Sequence, residues 1–259
     1  MIRNILLAAV VFLSASMAQA FEPRTTGVVL MHGKWGSPGD PTTQPLATAL
    51  QAAGFLVDQP EMPWSGRRLY DAPWDGAVAD IDASVARLRA RGATKIVVSG
   101  QSMGGAGAVA YVAAGRPVDA AVLVAPAHAP DGQIMQARFA SAVAGARDLV
   151  AAGRGDSPVG IVDLNNGDRT RSMQVKAAMI LSYFAPDSPI AMSRDAGKLG
   201  TTPVLWVAGT LDVTQKFFAG VVWPRIPAET PKEHVDVVCD HLDTPRVARD
   251  IIVNWLKSR

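Results

Sequence analysis

Short apolar runs recur along the chain, each separated from the next by a segment of helical character. GVVLM (27–31), FLVD (55–58), KIVVS (95–99), DAAVLVA (119–125), PVLWVAG (203–209) and HVDVVC (234–239) are rich in β-branched residues and bounded by turn formers. They read as buried strands. Between them, TTQPLATALQAAG (42–54) ends on a glycine stop, and residues 75–92 place Val78, Ile81, Val85 and Leu88 on one helical face before Gly92. The closing segment TPRVARDIIVNWLKS reads as a helix capped by Thr244 with Pro245 at its first position. Strands alternating with helices imply an α/β fold: a mostly parallel sheet of about six core strands flanked by helices on both faces.

One stretch breaks the alternation. Between Pro126 and Pro203 no convincing buried strand is visible. MQARFASAVAGARDLVAAG (135–153) and MQVKAAMILSYF (173–184) read as helices, with NNGD (165–168) as a turn between them. An insert here borders the C-terminal edge of the sheet, where open α/β sheets bind ligands. The expectation is a helical lid over about 127–202; the plainer alternative is an elaborated crossover with no role in binding.

The start of the chain, MIRNILLAAVVFLSASMAQA, has one positive charge (Arg3), a short apolar stretch and the small-residue pattern Ala18-Gln19-Ala20. That is the three-part pattern of a signal peptide over residues 1–20, cleaved after Ala20, and it predicts a periplasmic or secreted protein. No later segment predicts a stable membrane span. Lys and Arg total 25 against 23 Asp and Glu, dispersed along the chain, which argues against nucleic acid as a partner. Cys239 is the only cysteine, so neither an intramolecular disulfide nor a cysteine metal site is available. It sits inside an apolar run and reads as a small buried hydrophobe.

Against this frame, GQSMGG (100–105) gains meaning. A bare G-x-S-x-G is a weak signal, but this one follows the strand KIVVS and precedes a helix of small residues, GGAGAVA. A sharp strand-to-helix turn strains the backbone at the serine and brings its neighbours very close, which Gly100 and Gly104 tolerate. Ser102 is therefore a candidate nucleophile; the plainer reading is a helix-capping serine. A serine hydroxyl needs a base, and the base needs an orienting acid. Of four histidines, His241 lies on the loop between the last strand and the last helix, at the same sheet edge as Ser102. His234 is the alternative. Asp212, just beyond PVLWVAG, is the candidate acid, with helix capping as its plainer role and Asp131 as the fallback.

Taken together, HG after the first strand, GQSMGG, GTLD after PVLWVAG and the histidine of DHLDTP resemble the α/β-hydrolase superfamily over residues 21–259. The chain departs from fuller members in having no room before residue 27 for the usual leading antiparallel strands. The resemblance implies a Ser102–Asp212–His241 triad and an oxyanion hole built from the backbone N–H groups of Met103 and Lys34, with Trp35 as a substitute for Lys34. His32 would then orient its loop. The implied activity is serine hydrolysis of a carboxylic ester on a small-molecule acyl substrate, with no cofactor and no metal; thioester, lactone or amide cleavage are the variants. Trp35, Trp64 and Phe184 are the expected substrate-binding aromatics, though for any one of them core packing is the plainer and better-supported reading. The rival from another class is a non-catalytic binding protein on the same fold.

Overall fold

The computed structural model describes residues 20–166 and 169–259; the leader segment expected over residues 1–20 lies, except for Ala20, outside them. In chain order the regular elements are β1 (Thr26–Met31), α1 (Gln44–Ala52), β2 (Leu56–Asp58), α2 (Trp74–Ala90), β3 (Lys95–Gln101), α3 (Met103–Ala113) and β4 (Ala120–Val124). There follow α4 (Gln133–Ala151), β5 (Pro158–Asn165), β6 (Arg169–Lys176), α5 (Ala177–Phe184) and α6 (Met192–Asp195). The chain closes with β7 (Val204–Gly209), α7 (Val213–Val221), β8 (Lys232–Val237), α8 (Thr244–Val247) and α9 (Arg249–Lys257).

Six strands form one sheet in the order β2-β1-β3-β4-β7-β8, with every neighbouring pair parallel. Successive residues of each central strand feed opposite faces, as the period of a strand requires. Val29, Met31, Ile96, Val98, Leu123 and Trp206 pack into the core on the α2–α3 side. Val28, Leu30, Val97, Val122, Leu205 and Val207 pack against Leu46, Leu50, Ile252 and Trp255 on the α1–α9 side. Both faces being covered explains why the strands read as continuous apolar runs rather than alternating ones.

The chain runs from β1 outward to β2, then returns to the other side of β1 as β3. That reversal opens a crevice between the C-terminal ends of β1 and β3, the place where such sheets bind ligands. The loop of His32, Gly33 and Lys34 leaves β1 there, and Ser102 leaves β3 beside it.

The segment between β4 and β7 differs from its sequence reading. Residues 158–165 and 169–176 pair antiparallel, from Pro158 opposite Lys176 to Asn165 opposite Arg169, as a separate two-stranded sheet. Residues 173–176 are thus strand, and helix begins only at Ala177. The hairpin escaped the sequence because most of β6 is exposed and polar, so it lacks an apolar alternation. The last helix also differs: it breaks at Ala248 into α8 and α9, and Asp243 rather than Thr244 stands at the cap position. Among the described residues, no helix is long and apolar enough to cross a membrane.

Candidate active site

The turn between β3 and α3 places Ser102 at φ 55°, ψ −120°, a conformation that costs a non-glycine residue energy and persists only where its surroundings dictate it. Those surroundings are tight. A Cβ on Gly100 would lie 2.2 Å from the carbonyl carbon of Gly104, and one on Gly104 would lie 2.5 Å from the carbonyl oxygen of Met31. The Ser102 N–H donates to Val124 O at 3.0 Å, and its carbonyl accepts from Gly105 and Ala127. Strand exit, helix start and the neighbouring strand β4 together hold the serine above the sheet edge, with 7% of its surface exposed.

Two backbone N–H groups beside the serine, that of the next residue and that of Lys34 on the cleft wall, have no internal partner. Among the described residues, neither Met103 N–H nor Lys34 N–H makes a hydrogen bond. The Trp35 N–H, by contrast, donates to Trp64 O at 2.8 Å, so of the two alternatives in this loop only Lys34 keeps a free donor. The loop lies directly on the serine: a Cβ at Gly33 would stand 3.1 Å from Ser102 Cβ and 2.3 Å from Gln101 Oε1. Glycine at position 33 is the condition for that approach. His32 is buried and uses both ring nitrogens: Nδ1–H donates to Gly33 O at 2.8 Å, and Nε2 accepts from Met62 N–H at 3.1 Å. Burial lowers its pKa, consistent with a neutral ring that braces the loop.

Across the edge, His241 Nδ1–H donates to Asp212 Oδ2 at 2.5 Å. The other oxygen of Asp212 accepts from the backbone N–H and hydroxyl of Thr214, at 2.9 and 2.6 Å, capping α7. Burial pushes the Asp212 carboxyl up, but these bonds from His241 and Thr214 outweigh it and hold the carboxyl below its ordinary value. The Gln101 amide donates to His241 O at 3.3 Å, tying the histidine loop to the residue before Ser102. Ser102 Oγ itself makes no hydrogen bond to His241 in this state. The alternative residues stand elsewhere. Asp131 shares no hydrogen bond or ion pair with His241, and His234 lies edge-on to Trp206 and tilted against Trp223, with Asp236 Oδ1 3.7 Å from its Nε2.

A cleft of about 190 Å³ opens at Ser102, bounded by Lys34, Trp35, Asp40, Asn165, Arg169 and Leu242. A larger open cleft of about 590 Å³ lies around Trp74, Arg116 and Lys198 and contains none of the groups described above. Of the three expected substrate-binding aromatics, only Trp35 borders the serine cleft. Trp64 and Phe184 are fully buried, and this placement corrects the sequence expectation. Trp64 packs against Tyr183 and donates its indole N–H to His32 O at 2.9 Å, while Phe184 packs between Tyr70 and Phe139.

The serine elbow, the glycine loop beside it and the carboxylate–histidine pair occur here on a sheet of six parallel strands, and the sequence of residues 22–155 matches the family model of serine aminopeptidases, S33. The chain belongs to that hydrolase family. Its fold is that of the α/β-hydrolases, as comparison with solved structures shows. The monoacylglycerol lipase of Paleococcus ferrophilus is similar over 91% of this chain and 95% of its own, with a TM-score of 0.60 at 20% identity. A structure from the study of the metagenome-derived lipolytic enzymes LipS and LipT covers 93% and 97%, TM-score 0.60, at 17% identity. The thioesterase domain of the curacin biosynthetic pathway covers 91% and 92%, TM-score 0.57, at 16% identity. No curated protein matches the sequence.

One residue of the S33-family chain was not legible as part of the site. Asp163, on the buried face of β5, reaches the loop that carries Lys34. The only signal in the sequence is a carboxylate in step with Val159 and Ile161 in an otherwise apolar alternation.

Proposed function

We propose that this protein is a serine hydrolase that cleaves a carboxylic ester, or a related acyl bond, through an acyl-enzyme on Ser102. The observation that carries the reading is the strained elbow of Ser102 flanked by two unpartnered N–H groups, at the same sheet edge as a histidine already bonded to a buried carboxylate. With its Nδ1–H given to Asp212, His241 keeps the Nε2 lone pair for the Ser102 proton. Attack of Oγ on the acyl carbonyl produces a tetrahedral oxyanion, which Met103 N–H and Lys34 N–H receive. His241 then protonates the leaving group, and water takes the same route to release the acid. Apo sites commonly hold the serine–base contact longer than in the substrate complex, so the absence of that hydrogen bond here is compatible with the role.

The small cleft, with Trp35 and Leu242 as apolar surfaces, favours a short or medium acyl group. The segment 127–202 reaches it through Asn165 and Arg169, which supports a part in substrate enclosure for the inserted region. The leader pattern supports export, with Phe21 as the first mature residue: Ala20 is exposed, whereas Phe21 is buried in the core.

The test is fluorophosphonate labelling of the purified mature protein, with the modified peptide mapped by mass spectrometry. Labelling at Ser102 that disappears in His241→Ala is the expected result. A folded protein that takes no label and hydrolyses neither esters, thioesters, lactones nor aminoacyl amides would be a binding protein instead.

A further inference from the structure

The inserted hairpin does more than border the cleft. Asp163, on β5, is completely buried. Its Oδ1 accepts from Lys34 Nζ at 2.8 Å and from its neighbour Leu164 N–H at 2.8 Å. Its Oδ2 accepts from Tyr70 Oη–H at 2.7 Å and Trp35 Nε1–H at 3.2 Å. One carboxylate thus joins four donors, three of them from segments at least 93 residues away in sequence. Burial and the adjacent carboxylate push the Tyr70 hydroxyl well above its ordinary pKa, so it stays a donor.

The contacts converge on one peptide unit. Trp35 sits at φ 58° and Tyr70 at φ 62°, left-handed conformations that a bulky residue keeps only under external restraint. The peptide between Lys34 and Trp35 is held at both ends: its N–H donates to Trp64 O, and its carbonyl accepts from Asn165 Nδ2 at 2.9 Å. Lys34 Nζ has a second acceptor, Leu164 O at 2.9 Å, and lies 5.7 Å from the centre of the Phe184 ring. The hairpin therefore grips the Lys34 side chain, the Trp35 side chain and the carbonyl between them. The N–H of Lys34 is not taken up by this grip and stays free.

We infer that Asp163, with Asn165, is a positioning residue that sets the direction of the Lys34 N–H toward the oxyanion. The inference rests on the reading of Ser102 as the nucleophile and Lys34 N–H as an oxyanion donor. The hairpin then acts as a fixed back wall of the active site, and its removal disturbs the transition state more than substrate binding. Fixed donors stabilise an oxyanion because they need no reorganisation when charge develops, and displacements of about 1 Å are enough to cost about 100-fold in rate.

The experiment compares wild type with Asp163→Asn, the double variant Lys34→Met/Asp163→Asn, and Asn165→Ala on p-nitrophenyl acetate, with thermal melts and the affinity for a simple boronic acid, which forms a tetrahedral serine adduct. Asp163→Asn leaves the Lys34 ammonium buried without its counterion and is expected to melt earlier. The double variant removes both charges while keeping the Lys34 backbone N–H, so no charge is left buried without its counterion, and the melt of this variant reports its folding directly. The expected result is a kcat lower by about 10- to 100-fold in both Asp163 variants, KM within about 3-fold of wild type, and boronate affinity lowered in parallel with kcat. Asn165→Ala, which touches no charge, should show the same split more weakly.

A double variant that turns over at the wild-type kcat would overturn the inference and leave the pair a purely structural one. So would variants whose loss lies entirely in KM. If wild type is labelled at Ser102 and the variants are unimpaired, only the role of Asp163 falls. If wild type is neither labelled nor active, the hydrolase reading falls first and this inference with it.

Discussion

Asp212 divides its carboxylate between two tasks: Oδ2 holds His241 Nδ1 at 2.5 Å, and Oδ1 caps the first turn of α7 through Thr214. A capping aspartate and an orienting aspartate are alternatives when only the sequence is read. In the folded chain they are one residue, because β7 ends at the sheet edge where both the helix start and the histidine loop arrive. The cap also fixes the side-chain rotamer that His241 requires.

Asp212→Asn separates the two tasks. The amide oxygen still accepts from Thr214, so α7 keeps its cap. The amide NH₂ then faces His241, which favours the tautomer that carries the proton on the wrong nitrogen. We expect kcat for ester hydrolysis to fall by about 10³–10⁴-fold with the melting temperature nearly unchanged. A loss of stability with retained turnover would assign Asp212 to capping alone.

Glycine substitutions should diverge sharply with position. Gly104→Ala would press a methyl against the backbone of Met31 and His32, and should destabilise the fold by about 2–4 kcal/mol or displace Ser102. Gly145, partly exposed in α4, has nothing within 4 Å of the added carbon, so Gly145→Ala should stabilise by about 0.5–1 kcal/mol through helix propensity. Urea titration of both variants reads the sign directly.

Stability should fall as the solution is acidified. His128 is buried, with Nε2–H donating to Tyr183 O at 2.7 Å; burial, helped by the Lys34 charge, lowers its pKa to about 3. His32 is shifted in the same direction by burial. Both rings are neutral in the fold and take up a proton more readily when unfolded, near the ordinary value of 6.5. Their contribution is therefore complete above about pH 6.5 and is lost as pH falls through the lowered folded values, down to about 3 for His128, at no more than about 1.4 kcal/mol per pH unit per group. His128 also sits at φ 116°, so asparagine, which tolerates positive φ and does not titrate here, is the informative replacement. His128→Asn should flatten the acid limb of a plot of melting temperature against pH; an unchanged slope would remove His128 as its source.

Cys239 is buried, with its sulfur 3.6 Å from Thr244 Oγ1, and burial pushes its thiol pKa up. Cys239→Ser should leave kcat and KM within about 2-fold of wild type while costing about 1–2 kcal/mol of stability for a buried hydroxyl. A large fall in kcat at preserved stability would give the thiol a part in the chemistry that its placement denies it.

Much of this architecture is local in origin, and so was legible. Strands covered on both faces announce themselves as apolar runs, and their alternation with helical segments dictates a parallel sheet. The elbow is legible for a steric reason: only glycine at positions 100 and 104 permits the contact with Gly104 and Met31 backbone. Chain order then puts the Ser102, Asp212 and His241 loops at one sheet edge, since all three follow parallel strands. What the order of residues does not encode locally is which polar groups meet across the insertion. Asp163 and Lys34 stand 129 positions apart on a hairpin and a loop with no common periodicity. Their pairing, like the burial of Trp64 and Phe184, follows only once the β4–β7 crossover has packed against the sheet edge. A buried carboxylate must then find every available donor, and the donors it finds are those of the Lys34 loop.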